Sequence, residues 1–139
     1  MRLKSLAARL DPWAPPIALM ALIFFLSGRS DVDPDAGTLD VILRKIAHAA
    51  EYGLLWFLWQ RALRTLIAPL AAGLAAAAIA IVYAVSDEFH QTFVDNRHGT
   101  VLDVGIDSVG VALVALALAF VSRRRSRQPA AASTRTRAL

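Results

Sequence analysis

The residues of this chain with the most chemical capacity are Lys45, His48, Asp87, Glu88, His90, Asp103 and Asp107. Carboxylates beside a histidine can act as a general acid–base pair, because apolar surroundings move a carboxyl group toward the range where imidazole titrates. Glu88 and His90, with His48 and Asp87, are the candidates for that catalytic role. Lys45 and Arg97 offer positive charge to an anionic group, and Tyr52, Ser86, Gln91, Asp103 and Asp107 complete the expected substrate contacts. His48, Asp87, Glu88, His90, Asp103 and Asp107 also make a nitrogen-and-oxygen donor set of the kind divalent metals accept. No H-E-x-x-H spacing occurs, so metal and cofactor stay open. The chain has no cysteine, which excludes disulfides, thiolate sites and a cysteine nucleophile. Ser86 lacks the G-x-S-x-G setting of a hydrolase serine.

These residues must be positioned by helices. Of the 139 residues, 57% are hydrophobic, against about 45–50% in a soluble domain. The excess falls in four blocks, which predict an all-α membrane domain over residues 1–121 with spans at about 13–28, 41–60, 66–86 and 101–121. Pro15 and Pro16 stand near the start of the first, and Pro69 near that of the third, where a missing N–H costs little. A signal peptide is the alternative for the first block, but no A-x-A-like cleavage site follows it. Residues 122–139 hold six arginines among Ala, Ser, Thr and Pro, and predict a disordered cytoplasmic tail.

The net charge of +4 and pI near 10.3 do not point to nucleic acid, because the basic residues sit at span ends and in the tail. There they read as topology signals and anionic-lipid contacts. The leader (Arg2, Lys4, Arg9), the Arg61/Arg64 turn and the tail are basic, whereas the loop with Asp31, Asp33, Asp35 and Asp40 is acidic. The positive-inside rule then places both termini in the cytoplasm of a bacterial inner-membrane protein. On that topology the ionisable residues of spans two to four share one level, at the extracytoplasmic end. At about 100° per residue, Lys45, His48 and Tyr52 share a face with Glu51 beside it. If the third helix continues past Val85, Tyr83, Asp87, His90 and Gln91 form a second stripe. Thr100, Asp103, Asp107 and Gly110 form a third, with Gly110 allowing close helix approach. Intramembrane ionisable groups face a bundle interior or a wet cavity, so a shared polar pocket follows.

Plainer roles compete. Lys45 and Arg44 can snorkel, His48 can be a packed histidine, and Asp103 can charge a helix N-terminus. Asp95 and His98 fit a solvated loop, and Trp13, Trp56 and Trp59 fit interface or lipid-facing aromatics.

Ser86-Asp87-Glu88-Phe89-His90-Gln91, followed by Phe93, Arg97, Asp103 and Gly110, resembles the signature of the VanZ-like family, and Lys45-Ile-Ala-His48 with Tyr52 resembles its second motif. Two positions depart from the pattern: Asp95-Asn96-Arg97 stands where a Pro-Gly-Arg turn is frequent, and Asp107-Ser108 where many members carry Asn. The resemblance implies a small integral protein of the bacterial envelope, from a family named for resistance to the glycopeptide teicoplanin. Three functions compete: an enzyme acting on an amphiphilic envelope substrate, a non-catalytic binder of an envelope lipid or glycopeptide, and a transport component. The last is disfavoured because the inner halves of the spans lack polar residues.

Overall fold

The computed structural model describes residues 11–29, 37–95, 97 and 99–127. Among these the chain is all-helical: α1 (Ala14–Ser27), α2 (Thr38–Leu63), α3 (Pro69–Gln91) and α4 (Val101–Arg127). The leader before Asp11, the acidic residues Asp31, Asp33 and Asp35, His98 and the tail beyond Arg127 lie outside the described residues.

Local signals explain the helix limits. Pro15 and Pro16 open α1 and Pro69 opens α3, each in the first turn, where a proline loses no helical hydrogen bond. The third helix begins at Pro69 rather than Leu66, because Ala62–Ile67 is wound into a tight turn in which Thr65 Oγ1 donates to the Ala62 carbonyl at 2.7 Å. That helix does continue past Val85, to Gln91. Thr100 is the N-cap at the head of α4. The Asp103 N–H donates to Thr100 Oγ1 at 3.2 Å, and that hydroxyl donates to Asp103 Oδ2 at 2.7 Å. At its other end α4 runs to Arg127, so the segment expected to be a disordered tail from residue 122 begins as helix. Ser122 and Ser126 bond back to carbonyls of their own helix and so do not interrupt it.

α2 is the centre of the bundle, packing against α4, α3 and α1. Its contact with α4 is unusually close at Gly110, where any Cβ would overlap the Ala49 carbonyl, and at Gly53, where one would lie 2.7 Å from Val114 Cγ2. Its contact with α3 uses an alanine stripe, Ala72, Ala76, Ala80 and Ala84, all buried. The same stripe continues into Asp87 and Gln91, so one face of α3 passes from apolar to polar at its C-terminal end. Tyr52, Leu55, Trp56, Ile23 and Val111 fill the core between them. Trp56 is therefore a core residue, not a lipid-facing one: it is 5% exposed, and its indole N–H donates to the Gly73 carbonyl at 3.0 Å.

The outer surface is apolar. Leu70, Leu74, Val82, Leu113, Leu116, Phe24 and Phe25 are exposed, whereas Asp87, Glu88, Gln91 and Asp107 are buried. That arrangement suits a hydrocarbon solvent rather than water. α3 and α4 are long and apolar enough to cross a membrane, with mean hydropathy 2.0 and 2.3. α1, with 14 residues, is a shorter apolar helix. α2 has the length but carries Asp40, Arg44, Lys45, Glu51 and Arg61.

Candidate functional site

The polar ends of α2, α3 and α4 meet around a cavity of about 210 Å³. Arg44, Lys45 and His48 line it from α2, Glu88 and Gln91 from α3, Asp103 and Asp107 from α4, and Arg97 from the connection. A second cavity of about 150 Å³ adjoins it toward α1 and shares Arg44, His48 and Arg97. A larger cavity, about 760 Å³, lies at the opposite end of α2–α4, where Trp56, Ala77 and Ala115 line it together with Arg64 and Arg125. No carboxylate is among its lining residues, whereas Glu88, Asp103 and Asp107 line the first cavity and Glu51 the second.

Three sets of contacts shape that site. Lys45 Nζ forms an ion pair with Asp103 Oδ1, joining α2 to α4 at the cavity mouth. The other oxygen of Asp103 is held by the Thr100 hydroxyl, so the N-cap residue also aims the carboxylate. Glu88 Oε2 accepts from the Thr100 backbone N–H at 2.8 Å. In a usual capping box the acidic side chain would take that donor; here Glu88 takes it and ties the end of α3 to the start of α4. Gly99 permits this approach, since a Cβ there would overlap the Glu88 carbonyl.

The third set joins α1 to α3. Ser27 Oγ donates to Asp87 Oδ2 at 2.7 Å, while Gln91 Nε2 donates to Asp87 Oδ2 at 3.0 Å and to Ser27 Oγ at 3.1 Å. All three are at least 94% buried. Arg97 closes the same side: its Nε donates to the Arg29 carbonyl at 3.2 Å and its Nη2 to the Leu26 carbonyl at 3.4 Å. A guanidinium there adds donors to carbonyls at the C-terminal end of α1 and complements its dipole.

The structure brings together Lys45, His48, Glu88, Gln91, Arg97, Asp103 and Asp107 of the residues expected from the sequence. Asp87 stands behind them in the buried Ser27 cluster. Tyr52 is fully buried in the core, and its ring centroid lies 6.3 Å from that of Tyr83, which donates to the Met20 carbonyl. His90 and Ser86 are not at the cavity. His90 stacks on Phe24 of α1 with centroids 4.3 Å apart, and Ser86 is exposed with its hydroxyl donating to the Tyr83 carbonyl at 2.8 Å. The reason is helical phase: two residues from Glu88 is about 200° around the axis, so Glu88 and His90 cannot form one acid–base pair. The imidazole that does share the cavity with Glu88 is His48, whose Nδ1 lies 3.8 Å from Glu51 Oε2. Among the described residues no three His, Asp or Glu side chains converge as a metal site would require, so the six candidate donors are not gathered as one set.

Two of these residues are not legible as site residues in the sequence: Ser27, and Arg44, which reads there as a snorkelling anchor or a partner of the acidic loop. Nothing local marks Ser27, which closes an apolar helix; only its pairing with Asp87, 60 positions on, gives it a role. Arg44 had a signal, since it lies one turn from His48 on α2.

The fold and the site define a small helical membrane protein whose ionisable side chains are gathered inside one end of the bundle, beneath an apolar exterior. The chain belongs to the VanZ/LLP1 family, whose model matches residues 12–122. No curated protein and no solved structure matches it.

Proposed function

We propose that this chain is a four-span protein of the bacterial inner membrane, with both termini cytoplasmic, that binds the polar headgroup of an amphiphilic envelope molecule in the cavity between α2, α3 and α4. The observation that carries this reading is the convergence of Arg44, Lys45, His48, Glu88, Arg97, Asp103 and Asp107 on one cavity inside an otherwise apolar bundle. Burying ionisable groups in a membrane is costly, and such groups commonly mark a ligand or ion path. The basic leader, turn and tail support an outward-facing cavity, next to the outer leaflet. Teicoplanin tolerance, for which the family is named, fits a protein that engages an envelope amphiphile. At about 210 Å³ the cavity is below the roughly 300–1,000 Å³ of pockets for drug-sized ligands, which favours a headgroup over a whole glycopeptide.

A deletion strain complemented with wild type, Lys45→Ala or Asp103→Asn tests the reading. Both variants should accumulate in the membrane as wild type does, yet fail to restore glycopeptide tolerance and envelope lipid composition. Full complementation by both would overturn it. Acid–base catalysis is the second reading, and it has one observation in its favour: Glu88 and His48 line the same cavity. In that case purified protein converts its bound amphiphile, and Glu88→Gln abolishes turnover while leaving the amphiphile bound.

A further inference from the structure

Most polar atoms around the cavity already have partners, and those that do not define what is missing. Lys45 is paired with Asp103, Glu88 holds the Thr100 N–H, and Arg97 is held by two carbonyls of α1. Asp107 is different. It lines the cavity, is 2% exposed, and its Oδ1 has no hydrogen-bond partner. His48 Nδ1, also on the wall, is likewise without a hydrogen bond. A buried carboxylate left short of donors is expensive, and a ligand donor that reaches the Asp107 carboxylate from the cavity offsets that cost. One turn nearer the mouth, at the level of the Lys45–Asp103 pair, Arg44 lines the same cavity and makes no ion pair among the described residues. Among the described residues the site therefore holds a spare acceptor within and a spare cation toward the mouth, separated along the bundle by about one turn, roughly 5–6 Å.

We infer that the cavity takes a headgroup carrying both a phosphate and a primary ammonium, with the phosphate at Arg44 and the ammonium donating to Asp107. This rests on the headgroup-binding reading above and names its substrate class. A guanidinium matches phosphate geometry, and an ammonium brings three donors, enough for the Asp107 carboxylate and a further acceptor. A quaternary ammonium fits poorly. It has no N–H to give, and its recognition uses aromatic cages, whereas the non-polar lining consists of Val41 and Ile106, with no Phe, Tyr or Trp. A headgroup with phosphate alone would leave Asp107 unpaired. Phosphatidylethanolamine and free phosphoethanolamine share the required chemistry.

The test is lipid retention by the full chain, purified from nanodiscs holding equal amounts of phosphatidylethanolamine, phosphatidylcholine and phosphatidylglycerol and read by native mass spectrometry. Wild type should retain phosphatidylethanolamine about tenfold or more over the other two, the range expected of a charge-assisted hydrogen bond. Asp107→Asn, nearly isosteric, should erase that preference, and Arg44→Ala should lower retention of all three lipids. Circular dichroism and gel filtration confirm that each variant is folded. Free phosphoethanolamine forms the second arm. If it binds with the same Asp107 dependence while the diacyl lipid is not retained, the inferred chemistry stands and the source is the soluble ester. Equal retention of phosphatidylethanolamine and phosphatidylcholine by wild type, still lowered by Arg44→Ala, would overturn the ammonium assignment and leave the headgroup reading intact. Retention insensitive to Arg44→Ala and Asp107→Asn, with no binding of phosphoethanolamine, would remove both.

Discussion

At the scale of single residues, the polar groups divide into those that hold helices together and those that face the cavity, and the two should respond differently to substitution. Asp87 accepts from both Ser27 and Gln91 in a buried setting. Asp87→Ala takes the acceptor from the Ser27 hydroxyl and leaves Gln91 only its bond to Ser27 Oγ, and a buried donor left unpaired costs about 1–3 kcal/mol. The variant should melt well below wild type in detergent and accumulate poorly. Ser27→Ala removes two bonds, the one Ser27 donates to Asp87 and the one it accepts from Gln91, and leaves Gln91 on Asp87, so its loss should be about 0.5–1.5 kcal/mol per bond. The Lys45–Asp103 pair has side chains 38% and 24% exposed. Water and salt screen such a pair, and exposed pairs are worth about 0.2–1 kcal/mol. A double-mutant cycle with Lys45→Ala and Asp103→Ala, read by thermal melting, should therefore give a coupling within that range, even though either change alone is expected to impair complementation. A coupling of several kcal/mol would mean that the pair is mainly structural. The sequence made Asp87 and Lys45 visible, because charge in an apolar helix is conspicuous. It did not reveal that one serves the scaffold and the other the cavity, since that depends on partners about 60 positions away.

At the scale of helices, close packing of α2 on α4 sets the cavity's dimensions, and it depends on two glycines. Gly110→Ala puts a methyl group into the Ala49 carbonyl, which is backbone and cannot rotate aside. The helices must separate, at a cost of about 1–3 kcal/mol for overpacking. Gly105, one turn earlier on the same helix, has nothing within 4 Å of its Cβ position. Gly105→Ala should be neutral or stabilising by up to about 1 kcal/mol, from the better helix propensity of alanine. Melting temperatures of the two variants in one detergent compare them directly, and equal behaviour would mean that α2 and α4 do not meet as described. Periodicity was enough to expect Gly110 at a close crossing, because it shares a face with Asp103 and Asp107. The same reasoning aligned His90 with Asp87 on α3 and so joined it to the site, where the structure instead puts it against Phe24 on α1. A 100° rule tells which residues share a helix face; it does not tell which neighbour that face meets. Element ends shifted for local reasons that composition hides: Thr65 tightens the turn before α3, and the serines of α4 let it run on to Arg127.

At the scale of the whole molecule, the question is how many times the chain crosses the bilayer, and here hydropathy and packing give different weights to the same charges. Two helices pass as spans by length and composition. α2 does not, because its first half carries Asp40, Arg44, Lys45 and Glu51. Yet Lys45 is bonded to Asp103, and Arg44 faces the cavity, so part of this charge turns inward and need not meet lipid. A hydropathy average treats every side chain as lipid-facing and so undercounts helices that line a pocket. α2 has 26 residues, about 39 Å at 1.5 Å per residue, more than the hydrocarbon thickness of about 30 Å. α1 has 14, about 21 Å, and crosses only with local thinning of the bilayer or with flanking residues at its ends. Thinning fits the placement of its polar end: Ser27 and the Leu26 and Arg29 carbonyls meet Asp87 and Arg97 at the level of the cavity. The proposed four crossings then put the cavity opening at one membrane face. Reporter fusions after residues 10, 66 and 127 should read cytoplasmic, and fusions near 34 and 96 should read extracytoplasmic. If α1 lies along the surface instead, the residue 10 and residue 34 fusions will report the same side while 66, 96 and 127 keep theirs. That pattern would leave the cavity at the outer face and reduce the count to three, because α2, α3 and α4 provide its walls without α1. Inversion of the 66, 96 and 127 signals would instead put Lys45, Asp103 and Asp107 on the cytoplasmic side, and the bound headgroup would have to come from the inner leaflet.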